Sequence, residues 1–209
     1  PPTRSDVLHE CDVIEDVAIA YGYNNIRPAG TPTPTVGHQL ETTKLQDLLS
    51  SEIAMTGYTE VMTWILCSLA DNFETIGRPN DGSAVQITNS KTVEFQTART
   101  TLLTGLLRCV SSNKASPLPI RIFEIGDVVL KEPSDPIGAR NHHRLCAVYC
   151  GVTSGFELVH GLLDRVMFVL GVPSAFKHKG TQTKVPQYSL KAASDPAFVS
   201  GLCAEIFVG

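Results

Sequence analysis

One stretch, residues 94–130, limits the fold more than any other part of the sequence. It reads EFQTARTTLLTGLLRCVSSNKASPLPIRIFEIGDVVL. Apolar residues spaced one, three and four apart from Leu102 to Val110 predict a helix with one apolar stripe. Residues 120–130 are rich in Ile, Val and Phe, which favours a strand buried on both faces. Because prolines such as Pro117 end the helix, we expect a helix, a short turn and a core strand.

Length and composition describe an ordinary globular protein. The chain has 209 residues, 43% apolar and 18% charged, enough for one large domain or one domain plus a fragment. It contains no run of eighteen apolar residues and no charged-then-apolar leader, so we expect neither a membrane span nor a signal peptide. Its start at Pro1 has the character of a cut within a longer protein.

Net charge and cysteines exclude two further classes. The net charge is −4 and the pI is near 5.9, which argues that this part of the protein does not bind nucleic acid by itself. No C-x-x-C pair occurs, so reduced, mostly buried thiols are expected rather than disulfides or zinc ligands. The six cysteines are Cys11, Cys67, Cys109, Cys146, Cys150 and Cys203.

Acidic residues surround the start of a first helix, predicted over residues 12–21 and ended by Gly22. Two interpretations are open. Asp12 and Glu15 form a D-x-x-E pair close to a capping box, and acids are favourable in a first helical turn. Alternatively, Asp6, Asp12, Glu15 and Asp16 supply the hard oxygen ligands that suit Mg²⁺, which would also offset the repulsion between like charges.

Residues 27–37, RPAGTPTPTVG, are too rich in Pro, Thr and Gly for a regular element and predict an extended linker. We therefore divide the chain into the tail of a small helical module at 1–26, a linker at 27–40 and a larger domain at 41–209.

Further elements follow from periodicity within the larger domain. Helices are expected at 43–56 and 155–170, with a short helix or turn at 69–77. A central strand is expected at 60–68, and residues 144–149 should pair antiparallel with 120–130 beyond a polar loop at 131–142. His142 and His143 are placed in that loop, and His160 is interpreted as a hydrogen-bonded core histidine. Shorter strands are expected at 85–88, 188–191 and 202–208.

Three motifs resemble the phenylalanyl-tRNA synthetase beta subunits, of the cytosolic eukaryotic or archaeal type. They are EFQTARTTLLTGLL followed by RIFEIGDVV, then GFELVHGLLDRVM, and DVLHECDVIEDVAIAYGYNNI near the start. Together they extend over nearly the whole chain. The chain stops inside a pattern that the family continues, so the resemblance implies that the domain at 41–209 is truncated at its C-terminus. Three positions depart from the family pattern: Ser90 and Thr104 stand where the family usually has Pro, and Asp16 stands where many members have Glu.

This resemblance implies an α+β fold, with a class II aminoacyl-tRNA synthetase-like antiparallel sheet flanked by helices and preceded by the helical module. It also implies that Asp6, Asp12, Glu15 and Asp16 hold Mg²⁺ in a site completed by a catalytic alpha subunit. The expected partners are that alpha subunit, in a tetramer of two alpha and two beta chains, and tRNA(Phe) at the level of the assembled enzyme. The implied location is the cytoplasm.

Residues that class II synthetases use for ATP are missing from the sequence. Phosphate chemistry needs cations against developing charge. Class II synthetases supply one from an F-R-x-E sequence, but no arginine follows Phe123 in the corresponding strand here, and no G-x-G-x-G-x-R or Walker motif occurs. We therefore expect a non-catalytic subunit that scaffolds the alpha chain. Two alternatives stay open: an adaptor with this fold and no ligase role, and a stand-alone paralogue that activates a small acid with ATP.

Overall fold

A computed structural model describes residues 3–33, 37–176 and 185–209. The chain divides into two compact units, residues 1–39 and 40–209. The linker predicted at 27–40 stays a prediction. In the described part of the chain, no helix has the length and apolar character needed to cross a membrane.

The first unit contains helix α1, Glu10–Tyr21, followed by a 3-10 turn at Tyr23–Asn25. The predicted helix is confirmed, although it begins two residues earlier than expected. Gly22 ends it with a φ of 91°, a left-handed conformation that favours glycine. No residue of α1 is buried, and its apolar residues Ile14 and Val17 are exposed.

The second unit is organised around two long strands. Strand β4, Ile120–Lys131, pairs antiparallel with β5, Ala139–Cys150, in a register running from Ile120 opposite Cys150 to Lys131 opposite Ala139. The predicted strands and their antiparallel pairing are confirmed, but the predicted loop at 131–142 is shorter. His142 and His143 therefore lie in β5.

A short strand, β1, Thr59–Glu60, pairs with the other edge of β4 in parallel orientation. The sheet order is β1–β4–β5. The sheet is consequently mixed, and the expectation of a wholly antiparallel sheet is corrected. A parallel pair requires a long crossover connection, which the residues between β1 and β4 provide.

Helices cover both faces of β4. Phe123 and Ile125 pack on one face against α2, Glu41–Met55, and α5, Phe156–Val169. Ile122 and Val128 point the other way and pack against α4, Leu103–Ser112. Because successive side chains of a strand alternate between faces, both faces of this strand are core. The expectation that 120–130 is buried on both faces is confirmed.

The strand predicted at 60–68 is broken in two. After β1 the chain leaves the sheet, and β2, Leu66–Cys67, pairs antiparallel with β3, Thr97–Ala98. Polar contacts explain the break, because the Arg99 backbone N–H donates to the Ile65 carbonyl and the Thr63 hydroxyl donates to Glu124. The strand predicted at 85–88 is also wrong, since Gln86 makes only an isolated bridge to Thr97.

Smaller elements complete the second unit. The predicted turn at 69–77 contains α3, Leu69–Asn72, and a 3-10 turn at Glu74–Ile76. Another 3-10 turn spans Val93–Phe95. The two last predicted strands are confirmed as an antiparallel pair, β6 and β7, with bounds Tyr188–Ala192 and Ala204–Val208.

Candidate functional site

Two of the four predicted Mg²⁺ ligands converge on an arginine. The Arg4 guanidinium lies 2.5 Å from a carboxylate oxygen of Asp6 and 2.7 Å from one of Asp16. The hydrogen bonds from Arg4 hold the pKa of Asp6 below its ordinary value. Sequence reasoning missed Arg4, although a cation two residues before Asp6 was a visible signal. These two carboxylates are thus close enough to share one cation.

Asp12 has a different role in the first unit. Its Oδ2 accepts hydrogen bonds from the backbone N–H groups of His9 and Leu8, each at 2.8 Å. His9 is the N-cap, and its Nδ1 accepts from the Cys11 N–H at 3.3 Å. The predicted capping pair of Asp12 and Glu15 is therefore wrong by one turn: Asp12 occupies the third helical position of a box opened by His9.

The two backbone donors lower the pKa of Asp12. A carboxylate whose pKa is lowered by folding stabilises the folded state above its unfolded pKa, and this contribution is lost as pH falls through the folded pKa. Helix α1 should therefore loosen in acid. This behaviour follows from capping alone and needs no metal.

Glu15 is exposed on α1. Within the described ranges, no group of three or more His, Cys, Asp or Glu side chains is arranged to hold a metal ion. The structure therefore brings Asp6 and Asp16 together, while Asp12 is committed to the cap. The donor chemistry of Asp6 and Asp16 fits a hard cation. Mg²⁺ bound by all four predicted residues stays a prediction.

The second unit holds a buried ion pair at the centre of the sheet. Arg99 Nη1 donates to Glu124 Oε1 at 2.6 Å, and the two residues are 6% and 2% exposed. The Thr63 hydroxyl donates to the other Glu124 oxygen at 2.6 Å. Arg99 Nε donates to the Asp127 carbonyl at 2.9 Å. These partners satisfy the buried charges, as burial requires.

Arg99 lies in the core before α4 begins. A signal for its partner was present in the sequence. Glu124 stands between Phe123 and Ile125 in an apolar strand, and a buried carboxylate there demands a cation. The sequence does not identify which arginine pairs with Glu124, because residues 99 and 124 come into contact only through the tertiary fold.

A cavity of about 240 Å³ lies beside this ion pair, between α3, α4 and the chain after β1, with Trp64, Asn72, Arg99 and Arg108 in its lining. Arg108 pairs with the buried Asp71 at 2.7 Å. Both cations of the lining are thus neutralised by carboxylates. The volume is also below the 300–1,000 Å³ common for ligand pockets, so the cavity is poorly suited to a nucleotide.

Thr104, the departure from the family's proline, has a hydrogen-bonding role at this cavity. Its hydroxyl donates to the Asp71 carbonyl at 2.8 Å. Asn72 continues the polar network, because its side-chain oxygen accepts from the Thr100 N–H at 2.8 Å. These bonds tie α3 to the start of α4. The network is positioned to hold elements together rather than to contact a substrate.

The histidines form no catalytic arrangement in the described part of the chain. His143 Nδ1 lies 2.7 Å from Asp127 on the exposed sheet surface, and this contact lowers the pKa of Asp127. His160, expected to be a hydrogen-bonded core residue, is half-buried and stacks on the Phe156 ring with centroids 5.9 Å apart. It therefore packs chiefly as an aromatic ring.

All six cysteines are free thiols. Burial raises the pKa of Cys146 to about 11 and also raises that of Cys67. Thiols with raised pKa values are poor nucleophiles at neutral pH. Neither thiol is a candidate for covalent catalysis.

Comparisons with known proteins give a consistent result across the chain. A model of the phenylalanyl tRNA synthetase beta chain CLM domain matches residues 28–209, and a tRNA synthetase B5 domain model matches residues 1–23. Phenylalanine–tRNA ligase beta subunits are 49% identical over 210 residues in Mus musculus and 47% identical over 208 residues in Homo sapiens. A cytoplasmic beta subunit of Arabidopsis thaliana is 47% identical over 210 residues.

These alignments include 99% to 100% of this chain but 34% to 35% of each relative. The chain thus spans about a third of the length of the curated relatives it matches. Among solved structures, the pyrrolysyl tRNA synthetase PylSc of Desulfitobacterium hafniense superposes with a TM-score of 0.55 and 18% sequence identity. That match includes 75% of this chain and 52% of the synthetase chain, and it shows a synthetase-like α+β fold.

The resemblance seen in the three sequence motifs is confirmed by these matches. A family model spans most of the chain, and relatives close to half identical align with essentially all of it. The chain therefore belongs to the phenylalanyl tRNA synthetase beta chain family.

Proposed function

We propose that this chain is part of the beta subunit of a phenylalanine–tRNA ligase and that it scaffolds a catalytic alpha subunit without performing the chemistry. The observation that carries the proposal is the buried Arg99–Glu124 pair beneath α4. In ATP-dependent aminoacylation, cations must be available to the phosphates. Here the strand that corresponds to the class II F-R-x-E sequence has helices on both faces and carries a carboxylate already bound to an arginine.

A partner is supported by the apolar surface of the second unit. Leu48 and Met55 of α2 and Phe156 and Phe168 of α5 are all more than half exposed. Clusters of exposed large apolar residues on a folded domain mark interaction surfaces. We assign this surface to the alpha subunit, in an enzyme of two alpha and two beta chains located in the cytoplasm. Contacts to tRNA(Phe) then belong to the assembled enzyme.

The finer fold assignment belongs to the same proposal. The β4–β5 hairpin with α2 and α5 on one face fits a class II synthetase-like sheet, preceded by the tail of the helical module. The rival activity, a stand-alone activation of a small acid, would need phosphate-binding cations. Arg99 and Arg108, which line the central cavity, both face carboxylates. This disfavours the rival.

We expect the chain alone to give no phenylalanine-dependent exchange of pyrophosphate into ATP, and to co-purify with the alpha subunit when the two are expressed together. Met55→Glu should weaken that association, because it puts a charge into the apolar contact surface. Ile137→Glu is a matched control, since residues 55 and 137 are 83% and 88% exposed but Ile137 lies in the β4–β5 turn. Sedimentation of the mixed chains measures the association.

Two results would contradict this assignment. Exchange activity above buffer in the isolated chain would show an active site and favour the stand-alone paralogue. Equal loss of association in both glutamate variants, or no association of the unmodified chain, would remove the case for this surface and favour an adaptor without a ligase partner.

We further propose that Asp6, Asp12, Glu15 and Asp16 help to hold one Mg²⁺ that the alpha subunit completes. Support comes from Asp6 and Asp16, which already share the Arg4 cation. The ion would supply a hard positive charge that joins carboxylates of two chains. An Asp6→Asn plus Asp16→Asn variant should fold normally but assemble less well with alpha as Mg²⁺ is titrated. Arg4→Gln should strengthen Mg²⁺ binding by removing the competing cation.

Asp12→Ala tests the helix cap, whose loss is expected to act whether or not the metal is bound. It removes the acceptor of two backbone N–H bonds, so it should lower the helicity and the urea midpoint of the first unit with or without Mg²⁺. Circular dichroism and denaturation would measure both. The metal assignment fails if the double variant assembles like the unmodified chain at every Mg²⁺ concentration, because these acids would then serve only the helix start and Arg4.

A further inference from the structure

A small cavity in the second unit has the chemistry of an anion site and no role in the proposed function. Its volume is about 140 Å³. It lies where the end of α2, strand β4 and helix α5 meet. Its lining residues are Thr56, Tyr58, Arg121, Leu158, Gly161 and Leu162.

Two buried polar atoms of this lining have no hydrogen-bond partner in the described chain. They are the Tyr58 hydroxyl and Arg121 Nε. Tyr58 is only 6% exposed. Buried polar groups in native proteins are nearly always paired, and an unpaired one costs free energy. Both residues line the same cavity, so one group bound there can pair with both atoms.

The charge of the cavity is positive. Arg121 is a permanent cation, and within the described ranges no carboxylate lies within ion-pairing distance of it. Its guanidinium carbon lies 5.8 Å from the centre of the Tyr149 ring, a contact that leaves the N–H donors available. Burial raises the pKa of Tyr58, so its hydroxyl stays protonated and can donate.

Gly161 provides the space for a ligand. It lies within α5, where glycine is less favourable than alanine by about 1 kcal/mol. A Cβ added at Gly161 would meet no atom within 4 Å, so packing does not require glycine there. Leu158 and Leu162 of the same helix give apolar walls on either side. The site thus combines two donors, one positive charge and apolar walls.

We propose that this cavity binds a single carboxylate group. A carboxylate has two oxygens in a plane, which can accept one bond from Arg121 Nε–H and one from the Tyr58 hydroxyl. A phosphate has more oxygens and more charge to satisfy than this apolar lining can meet. The carboxylate has two sources, a free small acid or an acidic side chain of the alpha subunit, and the second source rests on the proposed function.

Acetate is the probe for the site itself. In the isolated chain, acetate should shift the Arg121 Nε–H resonance in nitrogen–proton NMR spectra, while phosphate and chloride at equal ionic strength should not. Tyr58→Phe should weaken acetate binding about tenfold, the usual effect of losing a hydrogen bond to a charged group. Gly161→Leu should abolish the response by filling the cavity, with both donors left in place.

Thermal unfolding without acetate gives a second, independent comparison. Tyr58→Phe removes an unpaired hydroxyl, so the melting temperature should stay level or rise. Tyr188→Phe is the matched control, because Tyr188 is also buried but donates to Asp164; the melting temperature of this variant should fall. A fall of similar size in both variants would mean that the Tyr58 hydroxyl is already paired, which contradicts the site.

The same resonance in the complex with alpha separates the two sources. Loss of the acetate response on assembly would assign the carboxylate to an alpha side chain, and a retained response would assign it to a free acid. If acetate never shifts the Arg121 signal in the isolated chain, the cavity holds ordered water only and the proposal is overturned. That result is independent of whether the chain binds alpha.

Discussion

Replacing Arg99 by leucine should lower the free energy of unfolding by about 3–5 kcal/mol, because it leaves the Glu124 carboxylate buried without its cation. Domains of this kind are stabilised by only about 5–15 kcal/mol, so much of the chain would be unfolded at mild urea concentrations. The two side chains are 7% and 3% exposed, which leaves Glu124 no route to solvent. Urea denaturation followed by circular dichroism measures the change.

Two controls separate this effect from loss of bulk or of any ion pair. Arg99→Leu combined with Glu124→Leu should recover much of the lost stability, since apolar residues often replace a buried pair at little cost. Arg165→Leu breaks the half-exposed pair with Glu52 and should cost less than about 1 kcal/mol. If Arg99→Leu cost no more than Arg165→Leu, the sheet centre would be hydrated rather than a closed core.

The central elements were predictable because their patterns are local. The apolar stripe from Leu102 to Val110 identified α4, and the Ile, Val and Phe content of residues 120–130 identified β4. Proline and glycine positions marked several ends correctly, as Gly22 did for α1. These signals depend on neighbours in sequence, so they survive folding without change.

The errors arose where polar partners from distant parts of the chain decided the backbone path. Residues 60–68 read as one apolar strand, but Thr63 turns toward Glu124 and the chain crosses to pair with Thr97–Ala98. Nothing within nine residues reveals that preference. The parallel pairing of Thr59–Glu60 with β4 likewise depends on the crossover between them and not on either strand's composition.

The candidate metal site shows the same division. Resemblance identified four acids, and the structure brings Asp6 and Asp16 together but gives Asp12 to the helix cap. Sequence reasoning placed the cap one turn late because histidine is an uncommon N-cap. The buried pair in the sheet was missed altogether as a pair, although Glu124 alone signalled a need for one. The sequence identified the charged side chains, but it did not identify the residues with which they pair.

Replacing Gly105 by alanine should destabilise the second unit by about 1–3 kcal/mol, the usual cost of overpacking a core. A Cβ at residue 105 would lie 2.3 Å from the Thr63 hydroxyl oxygen and 2.9 Å from the Thr63 Cβ. Thr63 cannot yield freely, because its hydroxyl donates to Glu124 at 2.6 Å and accepts from Arg99 at 3.1 Å. The substitution therefore disturbs the buried pair through its neighbour.

Gly161→Ala is the matched substitution, since both glycines lie within helices and neither has a positive φ. It meets no atom within 4 Å, so helix propensity should stabilise the chain by about 1 kcal/mol. The same glycine-to-alanine change is thus expected to destabilise the chain at residue 105 and to stabilise it at residue 161. In the Gly105→Ala, Thr63→Ala double variant the two costs should be clearly less than additive, because both act at one contact. Additive costs, or a stabilising Gly105→Ala, would show that α4 does not press on the residues that hold the Arg99–Glu124 pair.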